Sequence, residues 1–216
     1  RNDRVAIVLP NGPEMAVAFL SISCAATSAP LNPMYQAAEF DFYLSDLKAK
    51  ALVVMKGDAS PAIEVAESKG IPIIELSVPD TACAGQFVLS GPQQSLQAAS
   101  GYAQDDDVAL VLHTSGTTSR PKIVPLTQAN LCASAGNISR TLHLIPGDRC
   151  LNIMPLFHIH GLMAALLSSI ASGASVVCTP GFVATKFYGW VAAMNPTWYS
   201  AVPTMHQSIL ARAAEN

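Results

Sequence analysis

Between His113 and Lys122 the chain reads HTSGTTSRPK, which gathers five hydroxyl side chains (Thr114, Ser115, Thr117, Thr118, Ser119), one glycine (Gly116) and two cations (Arg120, Lys122). The hydroxyls are hydrogen-bond donors, the glycine lets backbone come close to a ligand, and the cations supply positive charge. Holding a polyphosphate is the chemistry this combination suits. The competing reading is a solvated Ser/Thr/Gly turn.

Such a loop needs a rigid root. The run VALVLH, Val108 to His113, reads as a buried strand, and a loop fixed on a rigid scaffold is a common functional arrangement. A Walker A loop is the obvious rival, because Gly116 and Lys122 have its glycine-to-lysine separation. Pro121 then occupies the place of the second glycine without an amide to donate, and Ile123 the place of the magnesium-binding hydroxyl. The following IVPLT, with Pro125, reads as a second short strand, so no helix N-terminus would face the phosphates.

HTSGTTSRPK resembles the phosphate-loop signature of the adenylate-forming superfamily: acyl-CoA synthetases, peptide-synthetase adenylation domains and luciferases. PLFHIHGL, Pro155 to Leu162, is similar to the family's next motif, and PLNPMY, Pro30 to Tyr35, followed by AEFDFYLSD, to its upstream region. Together with TWYSAVPTMHQ, Thr197 to Gln207, the spelling looks most like the plant and fungal oxalate-CoA ligase branch, near 4-coumarate-CoA ligase-like enzymes. The resemblance runs from Arg4 to about Leu210, with Lys69 to Gln104 lacking recognisable motifs. Two positions depart from the usual pattern, Ser119 and Ile123 standing where many members carry glycine. A β-branched Ile123 is either harmless in a strand or a restriction just after the lysine.

The resemblance implies an α/β fold, a mostly parallel sheet flanked by helices, forming part of an N-terminal adenylation domain over residues 1–216. It implies ATP, Mg²⁺ and coenzyme A as co-substrates or cofactors and a small-molecule carboxylic acid as substrate, with oxalate or a hydroxycinnamate-like acid as candidates. The carboxylate attacks the α-phosphate of ATP to give an acyl adenylate and pyrophosphate, and the thiol of coenzyme A then displaces AMP. Thr114, Ser115, Gly116, Thr117, Thr118, Ser119, Arg120, Pro121 and Lys122 would hold the nucleotide, Lys122 also acting in catalysis. His158 would lie by the acyl pocket and orient the substrate carboxylate, a task an imidazole donor suits.

His158 and His160 lack a third partner for zinc, and packing at a helix start is their plainer alternative. His206 is a candidate substrate contact or a solvated side chain, and Trp198 and Tyr199 read first as core. The family's acidic magnesium ligand, ribose-gripping aspartate, hinge and terminal catalytic lysine have no counterpart here. The 216 residues are therefore expected to be a slice of a longer polypeptide, completed by a C-terminal domain and inactive alone. Two alternatives stand beside this one: a non-catalytic nucleotide-binding or interaction fragment, and a phosphoryl-transfer enzyme releasing ADP or free phosphate.

Composition narrows the classes further. Only 12% of residues are charged and 50% are hydrophobic, a balance that suggests surface covered by further protein. A net charge of -3 leaves no basic face for nucleic acid. Five scattered cysteines without a CxxC pair read as buried reduced thiols, fitting an intracellular compartment, and the resemblance narrows that expectation to cytoplasmic or peroxisomal. Cys150 to Thr185 carries no Asp, Glu, Lys or Arg, yet Gly173 and Pro180 interrupt it, so a helix from about Ile159 to Ser172 and a strand ASVVC are expected rather than a membrane span.

Strand and helix signals alternate along the chain, as in a mostly parallel α/β sheet. RVAIVLP reads as a strand, followed by a helix started by Asn11, Pro13 and Glu14 with Met15, Phe19, Ile22 and Ala26 on its face. AEFDFYLSDLKA places Phe40, Tyr43, Leu44 and Leu47 together, and ALVVM and IPIIEL flank a helix at Ala62 to Ser68. Ser77 to Gln104 is the long loop, and Asp105 to Asp107 a solvated lead into a strand. Thr127 caps a helix bearing Leu131, Ala135, Ile138 and Leu142. CLNIMP, ASVVC and TWYSAV are further strands, with helices near Phe187 to Met194 and around Met205, Ile209 and Ala213.

Overall fold

Hydrophobic runs without alternation, RVAIV, ALVVM and VALVLH, become strands covered on both faces, the pattern that parallel sheets demand. The computed structural model describes residues 2–92, 102–114 and 121–213. Its described residues fall into two compact units, one built from residues 1–10 and 17–130, the other from residues 11–16 and 131–216.

In the first unit the elements follow as β1 (Arg4–Val8), α1 (Pro13–Ser23), β2 (Thr27–Pro30), α2 (Ala37–Leu47), β3 (Ala51–Met55), α3 (Pro61–Ser68), β4 (Ile73–Ser77), β5 (Val88–Ser90), β6 (Val108–Thr114) and β7 (Lys122–Thr127), and α4 (Gln128–Thr141) begins there. The strands make a seven-stranded sheet in the order β5-β4-β3-β1-β2-β6-β7. Pairing is parallel throughout except at the edges, where β5 and β7 run antiparallel to their neighbours. Pro125 sits in β7, an edge strand, where a missing N–H is tolerated.

Local chemistry sets the helices of this unit. Gln36 and Glu39 form a reciprocal capping box at the start of α2, and Lys48 ends it in the left-handed region with φ 49°. Ser60 caps α3, whose first residue is Pro61. Thr127 Oγ accepts the N–H of Asn130 at 3.2 Å, so it does cap α4. Phe40, Leu44 and Leu47 are buried with Ala6, Val8, Leu52, Val54 and Val111, while Tyr43 packs half-buried beside them.

The second unit has β8 (Arg149–Asn152), a π-helix (His160–Leu167) that runs on into α5 (Ser168–Ala171), β9 (Ser175–Cys178), α6 (Phe187–Met194), β10 (Trp198–Ser200) and α7 (Pro203–Leu210). Its three strands are parallel in the order β10-β8-β9, and its core centres on Leu151, Ile153, Phe187 and Ile209. The apolar run after His158 tolerates serines because Ser168 and Ser169 donate their hydroxyls to Ala164 O and Ala165 O one turn back. Among the described residues no helix is long and apolar enough to cross a membrane.

Several expectations need correction. α1 does start at Pro13, but the Asn11 side chain bonds Leu156 and Thr179, partners the helix-start signal did not announce. Leu142 is exposed beyond the end of α4, and Ala213 is exposed beyond α7, so neither buried stripe extends that far. The Ser77 to Gln104 stretch contains β5, paired to β4, and its residues 93–101 lie outside the described residues. Cys24, Cys83 and Cys132 are exposed, Cys178 is half-buried and only Cys150 is buried, although all five thiols are free.

Candidate active site

The loop that carries the hydroxyls is the connection between two antiparallel strands. In β6 and β7 His113 is the register partner of Ile123, and Thr114 of Lys122. Thr114 Oγ donates to Lys122 O at 3.5 Å, and both side chains are exposed at the end of the ladder. Pro121 is half-buried beside them; Ser115, Gly116, Thr117, Thr118, Ser119 and Arg120 lie outside the described residues. Lys122 opens a strand, not a helix, which is incompatible with a Walker A arrangement. Ile123 is half-buried against the first unit's core, where a β-branched side chain suits the pleat.

One residue before Thr114, His113 is held by α2. Its Nε2–H donates to Asp46 Oδ2 at 3.0 Å, a direction fixed because a carboxylate only accepts. The Tyr43 ring meets it edge-on, centroids 4.7 Å apart, and Phe42 lies tilted at 6.5 Å. Burial pushes the imidazole below its ordinary pKa; the Asp46 hydrogen bond and charge pull the other way, and Arg4 adds a small push downward. Sequence reading passed over this pair. Its signal was the helical spacing of Phe42, Tyr43 and Asp46, which puts all three on one side of α2.

In the second unit the histidine motif is a tight turn. Asn11 clamps its approach, Nδ2 donating to Thr179 O at 2.8 Å and Oδ1 accepting the Leu156 N–H at 2.7 Å. Gly161 is required there, because a Cβ would stand 2.2 Å from Pro155 O. The His160 N–H donates to His158 Nδ1 at 3.2 Å, which leaves Nε2 to carry the proton of a neutral His158 ring. His158 is exposed; His160 is half-buried, with its Nε2 2.7 Å from Ser200 Oγ at the end of β10. Burial, then the neighbouring His158, lowers the His160 pKa.

His206 is half-buried and its Nδ1 lies 3.2 Å from Tyr199 Oη, so it is neither a bare solvated ring nor a free one. Tyr199 packs against Phe187 at 4.9 Å, the core role read for it. Trp198 is half-buried, and its Nε1 together with Asn152 Nδ2 on the adjoining strand has no hydrogen-bond partner among the described residues. Among the described residues no group of three or more His, Cys, Asp or Glu could hold a metal.

Residues 1–216 match the family described as AMP-binding enzyme. The chain belongs to that family. Within the AMP-binding enzymes it is 43% identical over 218 residues to oxalate-CoA ligase from Arabidopsis thaliana, covering 99% of this chain and 42% of that one. Oxalate-CoA ligase from Saccharomyces cerevisiae is 41% identical over 97% of this chain and 43% of its own length. The chain thus spans about two fifths of the curated relatives it matches.

Solved AMP-binding structures share the fold. ATP-bound MatB from Rhodopseudomonas palustris superposes with a TM-score of 0.79 at 26% identity, over 97% of this chain and 41% of that one. The o-succinylbenzoate CoA synthetase of Bacillus subtilis, in complex with its acyl-adenylate intermediate, gives 0.75 at 28% identity over 99% and 53%.

Proposed function

We propose that this chain forms the ATP- and acyl-binding part of an AMP-forming acid-CoA ligase, with oxalate or a similarly small acid as substrate. The observation that carries the nucleotide half is the pairing of Thr114 with Lys122, which brings a hydroxyl residue and a lysine to one exposed rung at the mouth of the HTSGTTSRPK loop. The oxalate-CoA ligases at 43% and 41% identity support the choice of acid. A C-terminal domain of the same polypeptide would complete the site.

In this mechanism a carboxylate oxygen attacks the α-phosphorus of ATP and the bond to the β-phosphate oxygen breaks, giving the acyl adenylate and pyrophosphate. The sulfur of coenzyme A then attacks the acyl carbon, the thiol proton is lost, and AMP leaves. Negative charge grows on the departing pyrophosphate, so the Lys122 ammonium and the hydroxyls and Arg120 of residues 114–120 act there electrostatically. No nucleophile of the protein is needed. Magnesium would enter with ATP, where it would neutralise phosphate charge and where the loop hydroxyls are the oxygen donors this chain could offer it.

His158, with Nδ1 occupied by the His160 N–H, presents Nε2–H as a donor to a carboxylate oxygen of the acid. His206 would serve the same acid as a more distant contact, steadied by Tyr199. Five free thiols suit an intracellular setting, cytoplasmic or peroxisomal.

The test is AMP release by the full-length protein over a panel of carboxylic acids, with and without coenzyme A. AMP and thioester formed with oxalate or a related small acid support the proposal. ADP or phosphate as the product, or no AMP with any acid, refutes it.

A further inference from the structure

His113 sits where the hydroxyl loop leaves the sheet, yet no property of a phosphate-binding loop calls for an imidazole at that place. Its side chain is 6% exposed, so it is not offered to a ligand, and among the described residues it is hydrogen-bonded to the Asp46 carboxylate, which is 39% exposed. Tyr43 and Phe42 enclose the ring from the same helix. That helix is itself immobilised: Phe40, Leu44 and Leu47 are in the core, and Tyr35 stacks on Tyr43 with centroids 4.8 Å apart and planes 9° from parallel. α2 is therefore a fixed platform that grips β6 at its last buried side chain.

Alternation along a strand then has a consequence. With His113 directed to α2, Thr114 and its partner Lys122 fall on the opposite side of the hairpin, where both are exposed. A strand end without such a grip would fray at the edge of the sheet, because β7 has β6 as its strand neighbour and no second one. We infer that Asp46 and His113 are positioning residues for ATP: a latch between α2 and β6 that holds Thr114 and Lys122 in place without touching the nucleotide. The inference rests on the ATP reading of the loop.

Packing alone would also place the ring, and the two explanations separate at Asp46. Its carboxylate is partly open to solvent, so Asp46→Ala removes the hydrogen bond while leaving the aromatic enclosure and the core of α2 in place. Asp46→Asn keeps a side-chain carbonyl that still accepts from Nε2–H.

The experiment uses the full-length protein and three readouts: Mg·ATP affinity by calorimetry, KM for the acid, and thermal midpoint. Asp46→Ala is expected to weaken Mg·ATP roughly tenfold, the size of losing a hydrogen bond to a charged group, with acid KM within about twofold and the midpoint lowered by only a few degrees. Asp46→Asn is expected to recover most of that affinity. Unaltered Mg·ATP binding in Asp46→Ala overturns the latch while leaving the ATP reading intact. So does a loss shared equally by ATP, acid and thermal midpoint, or an Asn variant no better than Ala. Wild-type protein without Mg·ATP affinity overturns both.

Discussion

The His160 backbone N–H donates to His158 Nδ1 across 3.2 Å, so the shape of the turn selects the tautomer of the exposed ring. The neutral ring keeps its proton on Nε2, the atom able to meet a substrate carboxylate. Nitrogen-15 NMR of labelled protein is expected to show the Nε2–H tautomer for His158. His158→Ala is expected to raise KM for the acid roughly ten- to hundredfold, the cost of one hydrogen bond to a charged group, with ATP affinity within about twofold. Unaltered kinetics for every acid would withdraw His158 from the pocket.

Lys122 is the cation at the described end of the loop and shares a rung with Thr114. Lys122→Ala is expected to slow ATP-pyrophosphate exchange on the order of 10²-fold, comparable with removing one donor from a site of developing charge. Arg in its place restores charge but not shape, and partial recovery is expected.

Gly161 has no room for a methyl group, since a Cβ would lie 2.2 Å from Pro155 O and 3.2 Å from Met154 O, both of them backbone atoms. Gly161→Ala is expected to destabilise the protein by about 1–3 kcal/mol in urea unfolding. It should also disturb acid KM more than ATP affinity, because the displaced segment is the one that presents His158.

Asp148 accepts the Ile145 N–H at 2.8 Å and the Thr197 hydroxyl at 2.8 Å, and these two bonds, the backbone one foremost, hold its carboxyl below the usual range. The unfolded chain therefore binds a proton at higher pH than the folded one does. The resulting stability is complete above the ordinary carboxylate pKa of about 4 and is lost as pH falls through the lower folded value. Asp148→Asn is expected to flatten the acid limb of a stability-against-pH curve and to leave its neutral region nearly level.

Burial pushes the Cys150 thiol up to about 12 and the Cys178 thiol to about 11. Thiolate is the reactive form, so both should resist alkylation at pH 8 in the folded state. Cys24, Cys83 and Cys132 are exposed and should react. Native-state labelling followed by mass spectrometry checks the division.

Strong periodic segments were legible in the sequence. α2 buries Phe40, Leu44 and Leu47 as their spacing requires, α6 occupies Phe187–Met194, and β6 and β7 lie either side of the hydroxyl loop. What escaped was long-range and polar. Asn11, Pro13 and Glu14 marked the start of α1, but the side-chain partners of Asn11, Leu156 and Thr179, are far along the chain and no local pattern encodes them. Asp46 carries no local signal of its partner, because His113 lies 67 residues away in the sequence. The helix that starts at His160 is a π-helix through Leu167, a departure from α geometry that the apolar spacing does not announce.

The blunt borders of the seven-stranded sheet have a bearing on how the molecule behaves in a crowded solution. On one side β5 is only three residues long, and on the other β7 carries Pro125, which has no proton to offer an incoming chain. Neither rim is a good template for an incoming strand, which disfavours edge-to-edge pairing through this sheet.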